Sequence, residues 1–121
     1  MNSLKSKISS ARKVYQTYWD SYQKGDLQTF ASTLDDTFEM IGTSETEVCH
    51  SKTDGIEFLK AQLHEIVGKV EMRNRQIDVL PVENLMLVNE QCDIYVLLGS
   101  EGSEDWNFYS KIRISTWLRE T

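Results

Sequence analysis

The sequence predicts an α+β domain, with helices gathered early and long antiparallel strands late. Two observations carry that expectation. Through the first third and again over residues 56–70, apolar residues recur at steps of three and four, the period of an amphipathic helix. From Glu71 onward the helical period vanishes, and by residues 106–117 side chains alternate in twos, as in a strand. A third observation sets the scale: 121 residues with 40% hydrophobic side chains and one proline suit a single globular domain, here taken as residues 1–121.

The first helix carries the stripe Leu4, Ile8, Ala11, Tyr15, Tyr18 and Tyr22, widened by Val14 and Trp19. Under three heptads and a broad aromatic edge favour packing on a core over a coiled coil. Gly25 stops this helix, and Asp26 caps a second, short one over LQTFASTL. Phe38 to Ile41 reads as a short strand, GTSETEV as a turn, and the residues around VCHS as a second strand. Ser51 or Thr53 caps a third helix with the stripe Ile56, Leu59, Leu63, Ile66 and Val70. MRNRQIDVLPVENLMLV reads as one long strand kinked at Pro81, with a turn at Asn89-Glu90-Gln91. CDIYVLLGS and WNFYSKIRISTWLRE then form a hairpin around a glycine-bearing loop.

Centring that hairpin on Gly102 makes paired residue numbers sum to 204. Asp93 then faces Lys111, Tyr95 faces Tyr109, and Val96 faces Phe108, so one register collects apolar groups and matches charges. The even-numbered face, with Trp106, Phe108 and Ile112, is assigned to a second copy of the chain. The odd-numbered face, with Tyr95, Tyr109, Lys111 and Arg113, is assigned to the helices. Two fixed cations and two phenols suit a pocket that receives a small polar or anionic molecule. Arg73 and Arg75, two apart on the neighbouring strand, would add to that charge, while an Asp93–Lys111 cross-strand pair is the plainer explanation of Lys111.

Composition narrows the partners. A formal charge of -6 and no basic run longer than a pair argue against nucleic acid. No window approaches the 18 apolar residues that span a bilayer, and no signal peptide is evident, so a cytoplasmic protein is expected. Cys49 and Cys92 fit neither a disulfide framework nor a CxxC site, and two isolated histidines make a metal centre improbable; no cofactor is implied. Glu45, Glu47, His50 and Asp54 gather near the second strand as carboxylates for a general base, although a solvated turn explains Glu45 and Glu47 more simply. Cys49 and His50, adjacent on a strand, point to opposite faces and make no nucleophilic dyad.

The corner WDSYQKGDLQTF, the strand and turn FEMIGTSE, the helix TDGIEFLKAQL and the long final strands together resemble the nuclear transport factor 2-like superfamily, in its SnoaL-like and ketosteroid-isomerase-like branch, from about Tyr15 to the C-terminus. The resemblance implies a cone: a curved antiparallel sheet packed against three helices, with a cavity between sheet and helices. It also implies a closing strand beyond Leu118-Arg119-Glu120-Thr121, where the sequence stops, so that strand is expected either to follow in a longer chain or to be supplied differently. Tyr15, Trp19, Phe38 and Phe58 would form apolar walls of that cavity, and Tyr95, Tyr109, Lys111 and Arg113 its polar contacts. The expected function is a homodimeric, ligand-binding sensory or regulatory domain; an isomerase- or cyclase-type acid/base enzyme and a pure assembly module are the rivals.

Overall fold

Helix α1 (Leu4–Lys24) opens the computed structural model, which describes residues 3–41, 48–100 and 102–120. There follow α2 (Leu27–Ser32), β1 (Met40–Ile41), β2 (Val48–Cys49), α3 (Lys52–Ile66), β3 (Val70–Val82), β4 (Leu85–Leu98) and β5 (Asp105–Arg119). The class is α+β, as the periodicity predicts. The turn read at 42–47, with Glu45 and Glu47, lies outside the described residues. No described helix is long and apolar enough to cross a membrane. The chain divides into two compact units, Thr17–Val67 and the remainder.

In the first unit, the end of α1 turns into α2 at Gly25, whose φ of +71° places it in the left-handed region that glycine occupies freely. Asp26 caps α2, its side chain accepting a bond from the Thr29 N–H at 3.2 Å. Ser51 caps α3 by accepting from the Asp54 N–H at 3.1 Å, so of the two capping candidates it is Ser51 that serves. Gly55 is buried against the Phe38 ring, where a Cβ would lie 2.8 Å from a ring carbon. Phe38 therefore reaches α3 because position 55 has no side chain.

The second unit is an antiparallel sheet in the order β3-β4-β5, with the first half of α1. The 204 register holds from Leu85↔Arg119 to Ile94↔Ser110. Two expectations need correction. The long strand breaks at Glu83-Asn84, not at Asn89–Gln91, and the latter residues lie inside β4. Glu83 takes a left-handed φ of 55°, a turn geometry that a glutamate does not advertise. Beyond Ile94 the register slips by one, so Tyr95 pairs with Phe108 rather than with Tyr109. Tyr109 is thus the extra residue of a β-bulge, and it is 71% exposed. A second bulge lies in β3, where Asn74 (φ 54°) is the additional residue between Arg73 and Gln76.

Gly25→Ala should be costly, because the new Cβ would sit 2.6 Å from Val67 Cγ2 and 2.8 Å from Leu63 Cδ2 in a conformation that already strains an L-residue. A loss of about 2 kcal/mol is expected from urea unfolding.

Candidate functional site

The bulges decide which side chains share a face. On one side of the sheet lie Val79, Val88, Glu90, Cys92, Ile94, Ile112 and Ile114; Val79, Val88, Glu90 and Cys92 are buried. Alpha helix α1 meets this side: Tyr15, fully buried, donates its hydroxyl to Glu90 Oε1 at 2.6 Å, and Arg12 donates to the Ile77 carbonyl at 2.8 Å. Arg12 and Tyr15 are one helical turn apart and so reach the sheet together.

Glu90 is the one charged residue among the described residues that is fully buried. Arg75 supplies its counter-charge through two bonds, Nε to Oε2 at 2.5 Å and NH2 to Oε1 at 3.0 Å. A planar guanidinium matching both carboxylate oxygens is the strongest geometry such a pair adopts. The bulge keeps Arg73 apart from this pair. In an unbroken strand Arg73 and Arg75 would share a face; the extra residue Asn74 sends Arg75 inward while Arg73 stays out. Burial is also the leading influence on Cys92, two residues from Glu90, pushing its thiol up to about 11, with the Glu90 charge adding to it and Arg75 opposing it.

The expected face assignment is therefore reversed. Tyr95, Lys111 and Arg113 lie on the side away from Tyr15, and Lys111 and Arg113 are exposed. Lys111 pairs with Asp93 at 3.7 Å, and Arg113 donates to Gln91 at 3.3 Å. Arg73 lies over the Tyr95 ring at 4.1 Å and 5.6 Å from the Trp106 ring, beside Glu71 at 2.8 Å. Trp106 and Phe108 join this outer side because the Tyr109 bulge separates them from Ile112. Parity groups Lys111 with Arg113 and sets both apart from Ile112, as observed, but it does not say which face the helix covers; the bulge accounts only for Trp106 and Phe108 leaving the side of Ile112. Glu90 escaped notice because it was placed in a turn. Continuing the 204 register through residue 90 would have found it, opposite Ile114 on an apolar face.

In the other unit, Tyr18, Trp19, Tyr22 and Phe30 form an aromatic cluster with ring centroids 5.0–5.9 Å apart. Tyr22 donates to Gln62 of α3. Burial, followed by the nearby Tyr22 and Cys49, raises the Tyr18 phenol well above its ordinary range. The Trp19 indole Nε1 is buried, and it has no acceptor among the described residues. Phe38 and Phe58 are half-buried here, so Trp19, Phe38 and Phe58 fall in one unit, whereas Tyr15 belongs with the sheet. His50 and Asp54 serve the local backbone: Asp54 accepts from the His50 N–H at 3.0 Å, and the His50 ring lies 3.9 Å from Glu39. Among the described residues no cluster of His, Cys, Asp or Glu is arranged to hold a metal.

The SnoaL-like domain model matches residues 11–121. No curated protein matches the chain. Several solved structures share the fold. A candidate polyketide cyclase from Pseudomonas putida has 13% identity and a TM-score of 0.55, over 89% of this chain and 80% of its own. A second, from Silicibacter, has 15% identity and a TM-score of 0.55, over 91% and 79%. A domain of unknown function with a cystatin-like fold from Nostoc punctiforme has 16% identity and a TM-score of 0.55, over 87% and 74%. At such identities the likeness speaks to fold alone.

Two outcomes follow from the Glu90 site. Glu90→Gln leaves Arg75 without its counter-charge and should lower stability by about 3 kcal/mol in urea unfolding, while Glu90→Leu combined with Arg75→Met should recover most of that loss. The Cys92 thiol favours the protonated form more in the folded chain than in the unfolded one, where it titrates near 9.0. Its contribution is complete below pH about 9 and disappears as pH climbs toward 11. The urea midpoint should fall over that interval, and fall less in Cys92→Ala.

Proposed function

The chain belongs to the SnoaL-like domain family, and we propose that it acts as a small-molecule-binding regulatory domain whose ligand presents an oxygen acceptor to Trp19. The observation that carries this reading is the buried Trp19 Nε1 with no acceptor among the described residues. A buried donor left unmatched costs about 1–3 kcal/mol, and a carbonyl or ionised hydroxyl of a ligand would recover that cost. Around it, the rings of Tyr18 and Tyr22 at 5.0 and 5.5 Å offer edge and face contacts to a flat molecule. Phe38 and Phe58 are half-buried in the same unit. The names of the similar Pseudomonas and Silicibacter proteins refer to polyketides, compounds rich in carbonyl oxygens, and this chemistry suits the donor.

Glu90 weighs against the acid/base enzyme. A general base needs a lone pair free to take a proton. Here Oε1 accepts from both Tyr15 and Arg75, and Oε2 accepts from Arg75. Three of the carboxylate's roughly four acceptor sites are committed to holding helix and sheet together, and the side chain is wholly buried.

The test uses 2-hydroxy-1,4-naphthoquinone, a flat anion with several acceptor oxygens, titrated into the full chain by calorimetry. Trp19→Phe keeps the aromatic area and removes the N–H. It should raise Kd about 5–10-fold while leaving the unliganded protein at least as stable. Equal affinity of the two proteins, or no binding to either, overturns the reading.

A further inference from the structure

On the outer side of the sheet, three successive rows across β3, β4 and β5 differ in kind. Leu80–Leu87–Trp117 is apolar and open, with Trp117 55% exposed and Leu80 48%. Asp78–Asn89–Ser115 follows, a carboxylate, an amide and a hydroxyl. The Ser115 hydroxyl donates to Asn89 Oδ1 at 2.7 Å, which keeps the Ser115 oxygen as an acceptor and leaves the Asn89 NH2 to donate. Gln76–Gln91–Arg113 comes third. These last two rows line a shallow depression of ≈ 280 Å³, close to the lower bound of about 300 Å³ for small-molecule sites. Beyond it the charges are matched: Lys111 pairs with Asp93 at 3.7 Å and Arg73 with Glu71 at 2.8 Å. Arg113 is exposed and bonds through Nε to the neutral Gln91 amide, while its terminal N–H groups have no partner among the described residues. It is the cation in excess here.

We propose that these rows bind a nucleoside monophosphate, with the base on Trp117, the ribose over Asp78–Asn89–Ser115 and the phosphate against Arg113. The site lies within the sheet unit, and the proposal stands independently of the Trp19 ligand. Three parts of the ligand match three rows in order. A half-exposed indole stacks any nucleobase, because every base has a π-face. Neighbouring ribose hydroxyls need acceptors and donors within one row, which the Asp78 carboxylate and the Asn89–Ser115 pair supply. A guanidinium meets a phosphate through two parallel bonds. Rows two residues apart lie about 6.8 Å from one another, somewhat more than the step from base to sugar or from sugar to phosphate. The difference is within reach of the long Arg113 side chain. Rival ligands leave a row idle: a neutral saccharide has no use for Arg113, and an aromatic acid has none for Asp78 and Asn89. A single phosphate suits the single uncompensated cation, whereas a nucleic-acid strand would be repelled by the chain's formal charge of -6.

Calorimetric titration of the full chain with adenosine monophosphate, adenosine and ribose phosphate tests the order of the rows, with circular dichroism to confirm folding. Adenosine monophosphate should bind best, and each fragment at least about tenfold more weakly. Trp117→Leu should raise the Kd of the whole ligand about fivefold or more and leave ribose phosphate unchanged. Arg113→Met should raise it at least about tenfold and leave adenosine unchanged. Asp78→Ala should weaken adenosine and adenosine monophosphate alike, about fivefold. The fragment series on the wild-type chain decides the matter even where a variant fails to fold. Wild type that does not bind adenosine monophosphate at millimolar concentration overturns the proposal. So does a fragment as tight as the whole ligand, or an affinity indifferent to any of the three substitutions.

Discussion

A carboxylate buried on the apolar side of a sheet is tolerable only with a counter-charge in contact and a hydrogen bond on each oxygen. Glu90 has both, and the arrangement of the surrounding unit follows from supplying them. Arg75 must be on the inner side, in phase with Ile77 and Val79, and the left-handed Asn74 bulge lets Arg73 remain on the outer side at the same time. Tyr15 must stand above the sheet, which fixes where α1 crosses it, and Arg12 on the same helical turn secures the crossing through the Ile77 carbonyl. Replacing the set with hydrocarbon could give equal stability. What hydrocarbon would not give is direction: Arg75 and Tyr15 each have one bonding geometry, so the helix has one seating.

The other unit solves a different problem. Its α1 residues are aromatic where those over the sheet are mixed, and Tyr18, Trp19, Tyr22 and Phe30 meet edge to face and in stacks rather than as interlocking aliphatics. Large rigid rings fill space with few torsions, at low entropic cost per unit area. Polar ends come with them. Tyr22 places its hydroxyl on Gln62, whereas Trp19 does not place its N–H on any described group.

Most of the architecture was legible in the sequence. The helices α1 and α3, the Gly25 stop, the Asp26 and Ser51 caps and the 204 register as far as Ile94 follow from local rules and appear in the structure, although Leu4 and Val14 of the α1 stripe are exposed and Val70 belongs to β3 rather than to α3. What stayed hidden were single-residue irregularities. The Glu83-Asn84 turn carries no glycine, so the break between β3 and β4 was moved onto Asn89–Gln91, and Glu90 with it. Tyr109 and Asn74 look like ordinary strand residues, yet each shifts every later side chain to the other face if left uncounted. Of the apolar walls that the resemblance implied, Trp19, Phe38 and Phe58 fall in one unit and Tyr15 in the other; the Tyr95–Lys111–Arg113 set does share a face, which turned out to be the outer one.

Both bulges sit beside the same short stretch of β4, Asn74 next to Cys92–Asp93 and Tyr109 next to Ile94–Tyr95. The two outer strands are each one residue longer there than the middle one. At these two places the molecule has already absorbed a change in chain length without exchanging inside for outside. Removing Asn74 would leave Arg75 opposite Cys92 in a regular ladder, still aimed at the interior. The same deletion a few residues further along would carry Asp78 into the hydrocarbon and Val79 into water. Tolerance to insertion and deletion in this sheet is thus concentrated at two points, which makes them the places where relatives of different strand length can diverge and still fold.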